Sequence, residues 1–193
     1  MMMIDRMMNL MLNKFRIFYL LFLMVILGCD TSTNKAPLFL PQGFEATVFV
    51  DSISEKVRHM AVNENGDLYA KFKRSSESGV VAAIRDLNND GIADSLVKFG
   101  EYHMPQRGNY STAARIYKGY LYYSSQLTVY RIKLDEKNLV PAGKPEIIVH
   151  DDHPHGSHEH VAKPITFDQE GHIFVPFGAP NNACQKPDRK SVV

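Results

Sequence analysis

The sequence predicts an all-β fold assembled from a repeated strand–turn–strand unit. Three stretches carry the same pattern. His59-Met60-Ala61-Val62 leads through Asn63-Glu64-Asn65-Gly66 into Asp67-Leu68-Tyr69-Ala70. Ala114-Arg115-Ile116-Tyr117 leads through Lys118-Gly119 into Tyr120-Leu121-Tyr122-Tyr123. Pro164-Ile165-Thr166-Phe167 leads through Asp168-Gln169-Glu170-Gly171 into His172-Ile173-Phe174-Val175. Each reads as a strand, a tight turn containing glycine, and a strand of alternating apolar residues. The turn glycines Gly66, Gly119 and Gly171 recur at about 50 residues, the period of a multi-stranded propeller blade. Beyond the first 28 residues no amphipathic helix is evident, and Asp135–Leu139 is too short to sustain one.

The stretches between the repeats complete the blades. Val80–Arg85 and Ser95–Phe99 read as the two strands of one hairpin, and Val129–Leu134 and Glu146–Val149 as those of another. The expectation is a β-propeller with two full blades and the first half of a third. A propeller needs at least four blades to close, and an open one leaves edge strands exposed. The chain therefore reads as part of a larger protein. The tail Asp188-Arg189-Lys190-Ser191-Val192-Val193 matches what a short-read sequencing adapter encodes in one frame. Some or all of residues 188–193 are expected to be non-native.

Composition narrows the function classes. A chain 45% hydrophobic and 22% charged is not disordered. A net charge of +1 leaves no electrostatic footprint for nucleic acid. Two cysteines exclude a disulfide framework and a four-cysteine zinc site.

The N-terminus reads as a targeting segment. From Met11, Lys14 and Arg16 form a basic region and Ile17–Leu27 an apolar one, which is too short to span a bilayer. Ile26-Leu27-Gly28-Cys29 resembles a bacterial lipobox, with Cys29 carrying the lipid. An ordinary signal peptide with an incidental cysteine is the alternative. The expected organisation is a lipoprotein signal over 1–28, Cys29 and a polar tether over 29–37, and the partial propeller over 38–187. The expected location is the bacterial cell envelope, lipid-anchored, on the periplasmic side or in the outer membrane. Cys184 is left as a lone thiol or as the partner of a cysteine elsewhere.

Three motifs carry chemistry. Asp86-Leu87-Asn88-Asn89-Asp90-Gly91-Ile92-Ala93-Asp94 places oxygen ligands at loop positions 1, 3, 5 and 9, with Gly91 at the sharp turn and the Ile92 carbonyl at position 7. Calcium takes six to eight hard oxygens, and this spacing supplies most of them. Without flanking helices it is not an EF-hand. The alternative is a hairpin turn closed by Asx hydrogen bonds. His150-Asp151-Asp152-His153-Pro154-His155-Gly156-Ser157-His158-Glu159-His160 gathers five histidines just before the third repeat. Imidazole is a base near neutral pH and a common metal ligand, so this is a Zn, Cu or Ni site, a catalytic loop or a solvated polar loop. Its last members, His158 and His160, lie nearest the following strand. The third motif, Gly178-Ala179-Pro180-Asn181-Asn182-Ala183-Cys184-Gln185, is a polar loop after the third repeat.

Leu40-Pro41-Gln42-Gly43-Phe44-Glu45, Arg58-His59-Met60-Ala61, the Asp86–Asp94 loop and His158–Gln185 together resemble the soluble glucose and sorbosone dehydrogenase family. The last stretch is the most specific. The resemblance covers nearly all of residues 38–187 and about the first half of the family's catalytic domain. It implies a six-bladed quinoprotein propeller that uses pyrroloquinoline quinone (PQQ) and calcium. A sugar would be the substrate, and a quinone or cytochrome the electron acceptor. By position His160 matches the family's general base, with Glu159 orienting it. Lys163 stands where the family usually carries an arginine. His158, Arg58, Asn181 and Asn182 are the implied cofactor contacts. Asp86, Asn88, Asp90, Ile92 and Asp94 would hold a calcium ion distinct from the cofactor's. The glutamine that touches sugar in the glucose enzymes has no clear counterpart in 108–114, which leaves the sugar open. Two rival readings stand: a calcium-dependent lactonase-like propeller, and a non-enzymatic lipoprotein that binds glycans or a protein.

Overall fold

The computed structural model describes residues 38–76, 78–101, 113–151 and 162–177. The described residues form two units, divided between Thr47 and Val48. In the first, the Phe44 N–H donates to the Pro41 carbonyl at 3.2 Å and closes one turn. The second carries ten strands and, among the described residues, no helix. They are β1 (Val57–Val62), β2 (Leu68–Ser76), β3 (Gly79–Arg85), β4 (Ser95–Phe99), β5 (Ala114–Tyr117), β6 (Tyr120–Ser124), β7 (Thr128–Lys133), β8 (Glu146–His150), β9 (Thr166–Phe167) and β10 (Ile173–Phe174).

The strands pair only with their sequence neighbours. β1-β2-β3-β4 make a first antiparallel sheet, β5-β6-β7-β8 a second and β9-β10 a third. Among the described residues no sheet closes on itself. All three repeats are hairpins, and each turn glycine has positive φ, at 90°, 76° and 99° for Gly66, Gly119 and Gly171. Lys118 also has positive φ, 48°, and Tyr117 pairs with Tyr120. Two central residues on the left-handed side make the primed turn whose twist suits a two-residue hairpin. The third repeat is shorter than its sequence suggests. Pro164 offers no N–H to a ladder, and pairing begins at Thr166 rather than at Pro164.

The sheets pack face to face in chain order. Tyr69, Val81 and Ala83 of the first sheet meet Leu121, Tyr123, Tyr130 and Ile132 of the second. The opposite face of the second sheet presents Tyr122 and Val129 to Ile165, with Phe167 and Ile173 alongside. Tyr117 stacks on Phe167 at 4.3 Å, and Tyr122 meets the same ring edge-on at 4.7 Å. The far face of the first sheet, Ala70, Phe72, Ala82 and Ile84, is covered by Phe49, Val50 and Ile53. β3 is therefore buried almost throughout and reads Val-Val-Ala-Ala-Ile without alternation, as a strand enclosed on both faces should. The outer strands β1, β4 and β8 are mostly exposed or half-buried.

The up-and-down strand order sorts the connections into two ends. One holds the β1–β2, β3–β4, β5–β6, β7–β8 and β9–β10 turns. At the other lie the ends of β4 and β8, the starts of β5 and β9, and the Ser124–Thr128 turn.

At the turn end, Asp67 is fully buried and grips Arg85 through two bonds, Nε to Oδ1 at 2.5 Å and Nη2 to Oδ2 at 2.6 Å. Asn65 donates to the same carboxylate at 2.9 Å, and Arg85 reaches the Lys137 carbonyl at 3.5 Å. This bidentate fork joins the turn of the first repeat to the β7–β8 connection of the second sheet. Arg85→Met strands a buried carboxylate and is expected to cost about 3–5 kcal/mol, read as a lower urea midpoint at unchanged slope.

Candidate functional site

Buried polar groups concentrate at the connection end. Ser124, Ser125, Gln126, Thr128, Asp151 and Lys163 are all buried there. Their bonds knit the strand ends together. The Ser124 N–H donates to the Ala113 carbonyl at 3.3 Å and its hydroxyl to the Lys163 carbonyl at 3.2 Å. The Ser125 N–H donates to the Thr128 carbonyl at 2.8 Å, and the Thr128 N–H to the Ser125 hydroxyl at 3.1 Å. The Asp151 N–H donates to the Leu127 carbonyl at 2.8 Å. Thr128 Oγ1 and His150 Nδ1 share a hydrogen bond at 2.8 Å, so the imidazole that ends β8 is fixed in place.

Lys163, 1% exposed, sends Nζ to 3.6 Å from Asp151 Oδ2 and over the Phe177 ring at 4.3 Å. Burial lowers its proton affinity, and the Asp151 carboxylate opposes that shift. The pair spans the gap between the second and third sheets, one member just past β8 and the other just before β9.

A second buried lysine lies between the first two sheets. Lys71 on β2 is fully covered, donates to the Phe72 carbonyl at 3.3 Å and sits 5.9 Å above the Tyr123 ring. Desolvation pushes its pKa down to about 7. Its cross-strand neighbour is His59 on β1, also pushed down, first by burial and then by the charges of Arg58 and Arg115. β1 lies beside β5, so Arg58 and Arg115 gather positive charge around His59 along these two strands. Arg58 is exposed, and Arg115 Nε donates to the Ile165 carbonyl at 3.2 Å.

The Asp86–Asp94 loop lies at the opposite end, between β3 and β4. Asp86 accepts from the N–H groups of Asn88 at 3.1 Å, Asn89 at 2.7 Å and Gly91 at 2.9 Å. Asn88 accepts from the Asp90 N–H at 2.9 Å, Asp90 from the Ile92 N–H at 2.8 Å, and Asp94 from the Leu87 N–H at 2.7 Å. Desolvation raises the Asp86 pKa, but the backbone donors, led by Gly91, outweigh it and hold the carboxyl below its usual range. The backbone N–H groups orient the side chains, and an ionised carboxylate retains lone pairs beyond the bonds it accepts.

Also at the turn end, Asp168, Glu170 and His172 place one ligand atom each within 4.8 Å of one another. Asp168 accepts from the N–H groups of Glu170, Gly171 and His172, and its Oδ2 lies 2.7 Å from His172 Nδ1. The His172 bond is the main cause of its lowered pKa.

Of the residues singled out from sequence, Lys163 lies in the buried network of the connection end and Arg58 on exposed β1. Asp86, Asn88, Asp90, Ile92 and Asp94 share one loop remote from both. His158, Glu159, His160, Asn181, Asn182 and Cys29 lie outside the described residues. Sequence reading passed over Asp151 as one member of a polar run. It also missed Lys71, whose signal was a lysine on a strand otherwise set by Leu68, Tyr69, Ala70 and Phe72. The sequence places Asp168 and Glu170 in a turn and His172 at the start of the following strand, with nothing that marks them as a cluster.

No protein-family model matches the chain, and searches of curated proteins and of solved structures found no match. What the described residues define is an all-β chain of face-to-face antiparallel sheets, with buried lysines toward the connection end. Among them, no helix is long and apolar enough to cross a membrane.

Lys71 yields a pH signature. Its folded pKa of about 7 lies below the ordinary value of about 10.4. Between those limits the unfolded chain holds a proton that the folded one has shed, so stability rises with pH. Lys71→Met is expected to be the more stable protein at pH 7, with the difference shrinking toward pH 10. Urea unfolding of both at stepped pH measures this.

Proposed function

We propose that the chain is the N-terminal part of an exported, lipid-anchored β-propeller dehydrogenase of the PQQ-dependent sugar-oxidising type. The observation that carries the reading is the buried Lys163–Asp151 pair at the connection end, Asp151 lying within the histidine-rich segment and Lys163 just after it. The serial face-to-face packing of four-stranded meanders supports the propeller, since each blade of such a ring buries both faces against its neighbours.

The donor chemistry suits the proposed cofactor. PQQ is a planar quinone bearing carboxylates, and Arg58, His59 and Arg115 bring cationic and hydrogen-bonding groups together along β1 and β5. When bound, PQQ supplies the two-electron acceptor for the substrate's hydride. In this reading His160 takes the proton from the sugar hydroxyl, Glu159 orients its ring, and Lys163 holds the following backbone in place. His158, Asn181 and Asn182 are the further proposed cofactor contacts. A separate quinone or cytochrome receives the electrons. In the full-length protein, His160→Ala is expected to lower PQQ-dependent dye reduction by about 10²–10⁴-fold. Retention of full activity would refute the assignment.

Calcium binding by the Asp86–Asp94 loop belongs to the same reading. Asp86, Asn88, Asp90 and Asp94 offer hard oxygens, with the Ile92 carbonyl between them, and the backbone bonds already order the turn. The proposed role is structural, tying β3 to β4. Calcium should raise the melting temperature of the full-length protein and chelator should reverse the rise. Asp90→Ala should abolish the response while leaving the metal-free melting temperature nearly unchanged.

A further inference from the structure

The turn of the first repeat, Asn63-Glu64-Asn65-Gly66, holds the chain's one Asn-Gly pair. Both residues of the pair are exposed, while Asp67, next in line, is fully buried. Glycine has no Cβ, so its backbone nitrogen approaches the preceding side chain with the least hindrance of any residue. Attack by the Gly66 nitrogen on Asn65 Cγ closes a succinimide ring. The N–Cγ bond forms as the Cγ–Nδ2 bond breaks, and Nδ2 leaves as ammonia with the proton from the Gly66 nitrogen. Water then opens the ring at either carbonyl and leaves aspartate or isoaspartate at position 65. No oxidant or reductant is needed.

In the closed turn three bonds hold this reaction back. The Gly66 N–H donates to the Asn63 carbonyl at 2.9 Å, Asn65 Nδ2 donates to Asp67 Oδ2 at 2.9 Å, and Asn65 Oδ1 accepts from the Asp67 N–H at 3.2 Å. Nucleophile and carboxamide are each tied elsewhere, so ring closure waits on a local opening. An exposed hairpin tip opens more readily than the sheet it joins. The same bonds show what the product would change. Nδ2 donates to a buried carboxylate that also carries the Arg85 fork. A carboxylate at position 65 has no donor to offer and sets like charge beside Asp67. Isoaspartate also lengthens the backbone inside the turn that the Asn63 N–H closes on the Asp67 carbonyl at 2.8 Å.

We propose that Asn65-Gly66 is a spontaneous modification site, at which loss of the Asn65 amide sets a carboxylate against Asp67 and loosens the Asp67–Arg85 joint between the first repeat and the β7–β8 connection. The step runs in one direction and needs only water, so it ages the fold. It is independent of the dehydrogenase reading.

Peptide mapping by mass spectrometry, with enzymatic labelling of isoaspartate, follows position 65 in the full-length protein stored at mildly alkaline pH. Folded protein should convert at this position over weeks, and urea-unfolded protein at least about tenfold faster. Asn65→Gln, whose longer side chain does not close the same ring, should not convert over that period. Asn65→Asp should raise the unfolding equilibrium constant about tenfold, read as a lower urea midpoint at unchanged slope. The aged fraction, separated by ion exchange, should lose as much or more. In an Asp67→Asn, Arg85→Met background the cost of Asn65→Asp should vanish. Absence of conversion in folded protein, while the unfolded chain converts, would overturn the site. An unchanged midpoint in both Asn65→Asp and the aged fraction would overturn the coupling to Asp67–Arg85, as would an undiminished cost in the background that lacks the pair.

Discussion

The structure depends on one constraint: the second sheet is buried on both faces. β6 sends Leu121 and Tyr123 toward the first sheet and Tyr122 toward the third. Its neighbour β7 divides Tyr130 and Ile132 from Val129 in the same way. A strand enclosed like this has little solvent face on which to place charge, and on β7 that is confined to Arg131 and Lys133. Polar groups are pushed to the strand ends, where backbone partners and one another satisfy them. The crowd of serines, threonine, aspartate and lysine at one end of this sheet follows from that geometry. Tyrosine suits the middle positions because its ring fills the gap between sheets, and Tyr123 stacks on Tyr130 at 5.3 Å.

The two buried lysines meet the cost of a desolvated charge in different ways. Lys163 keeps a carboxylate beside it, which supports its protonated form against burial. Lys71 has an aromatic face and a backbone carbonyl instead, and its hold on the proton weakens to about pH 7. Two cations on opposite sides of the same strand pair thus respond differently to the same solution.

Much of the strand layout was legible in the sequence. The glycine turns announced three hairpins. Ser95–Phe99 and Ala114–Tyr117 appear with the bounds that alternation and turn residues suggest, and β3, β7 and β8 differ by a residue or so at an end. β2 runs on to Ser76, past the residues that pattern alone assigned to it, because its pairing with β3 resumes there after an irregularity. The order in which sheets face one another was not legible, because alternation says which residues share a face and not what covers it. The site was less legible than the fold. Asp151 and Lys163 are twelve positions apart, and nothing in either neighbourhood marks them as partners. Lys71 resembles any strand lysine until the second sheet is laid over it. The acidic loop at Asp86, by contrast, could be read directly, since its hydrogen bonds join residues no more than seven positions apart.

Pairing between sequence neighbours also shapes how the chain acquires its structure. Each sheet needs only short loops to close, so its hairpins form cheaply and early. The apolar face holding Tyr69, Val81 and Ala83 then waits for Leu121 and Tyr123, which are synthesised about fifty residues later. During that interval a half-covered sheet is adhesive. The nascent chain is exposed to aggregation between the first sheet and the second, where a holding chaperone would be of use.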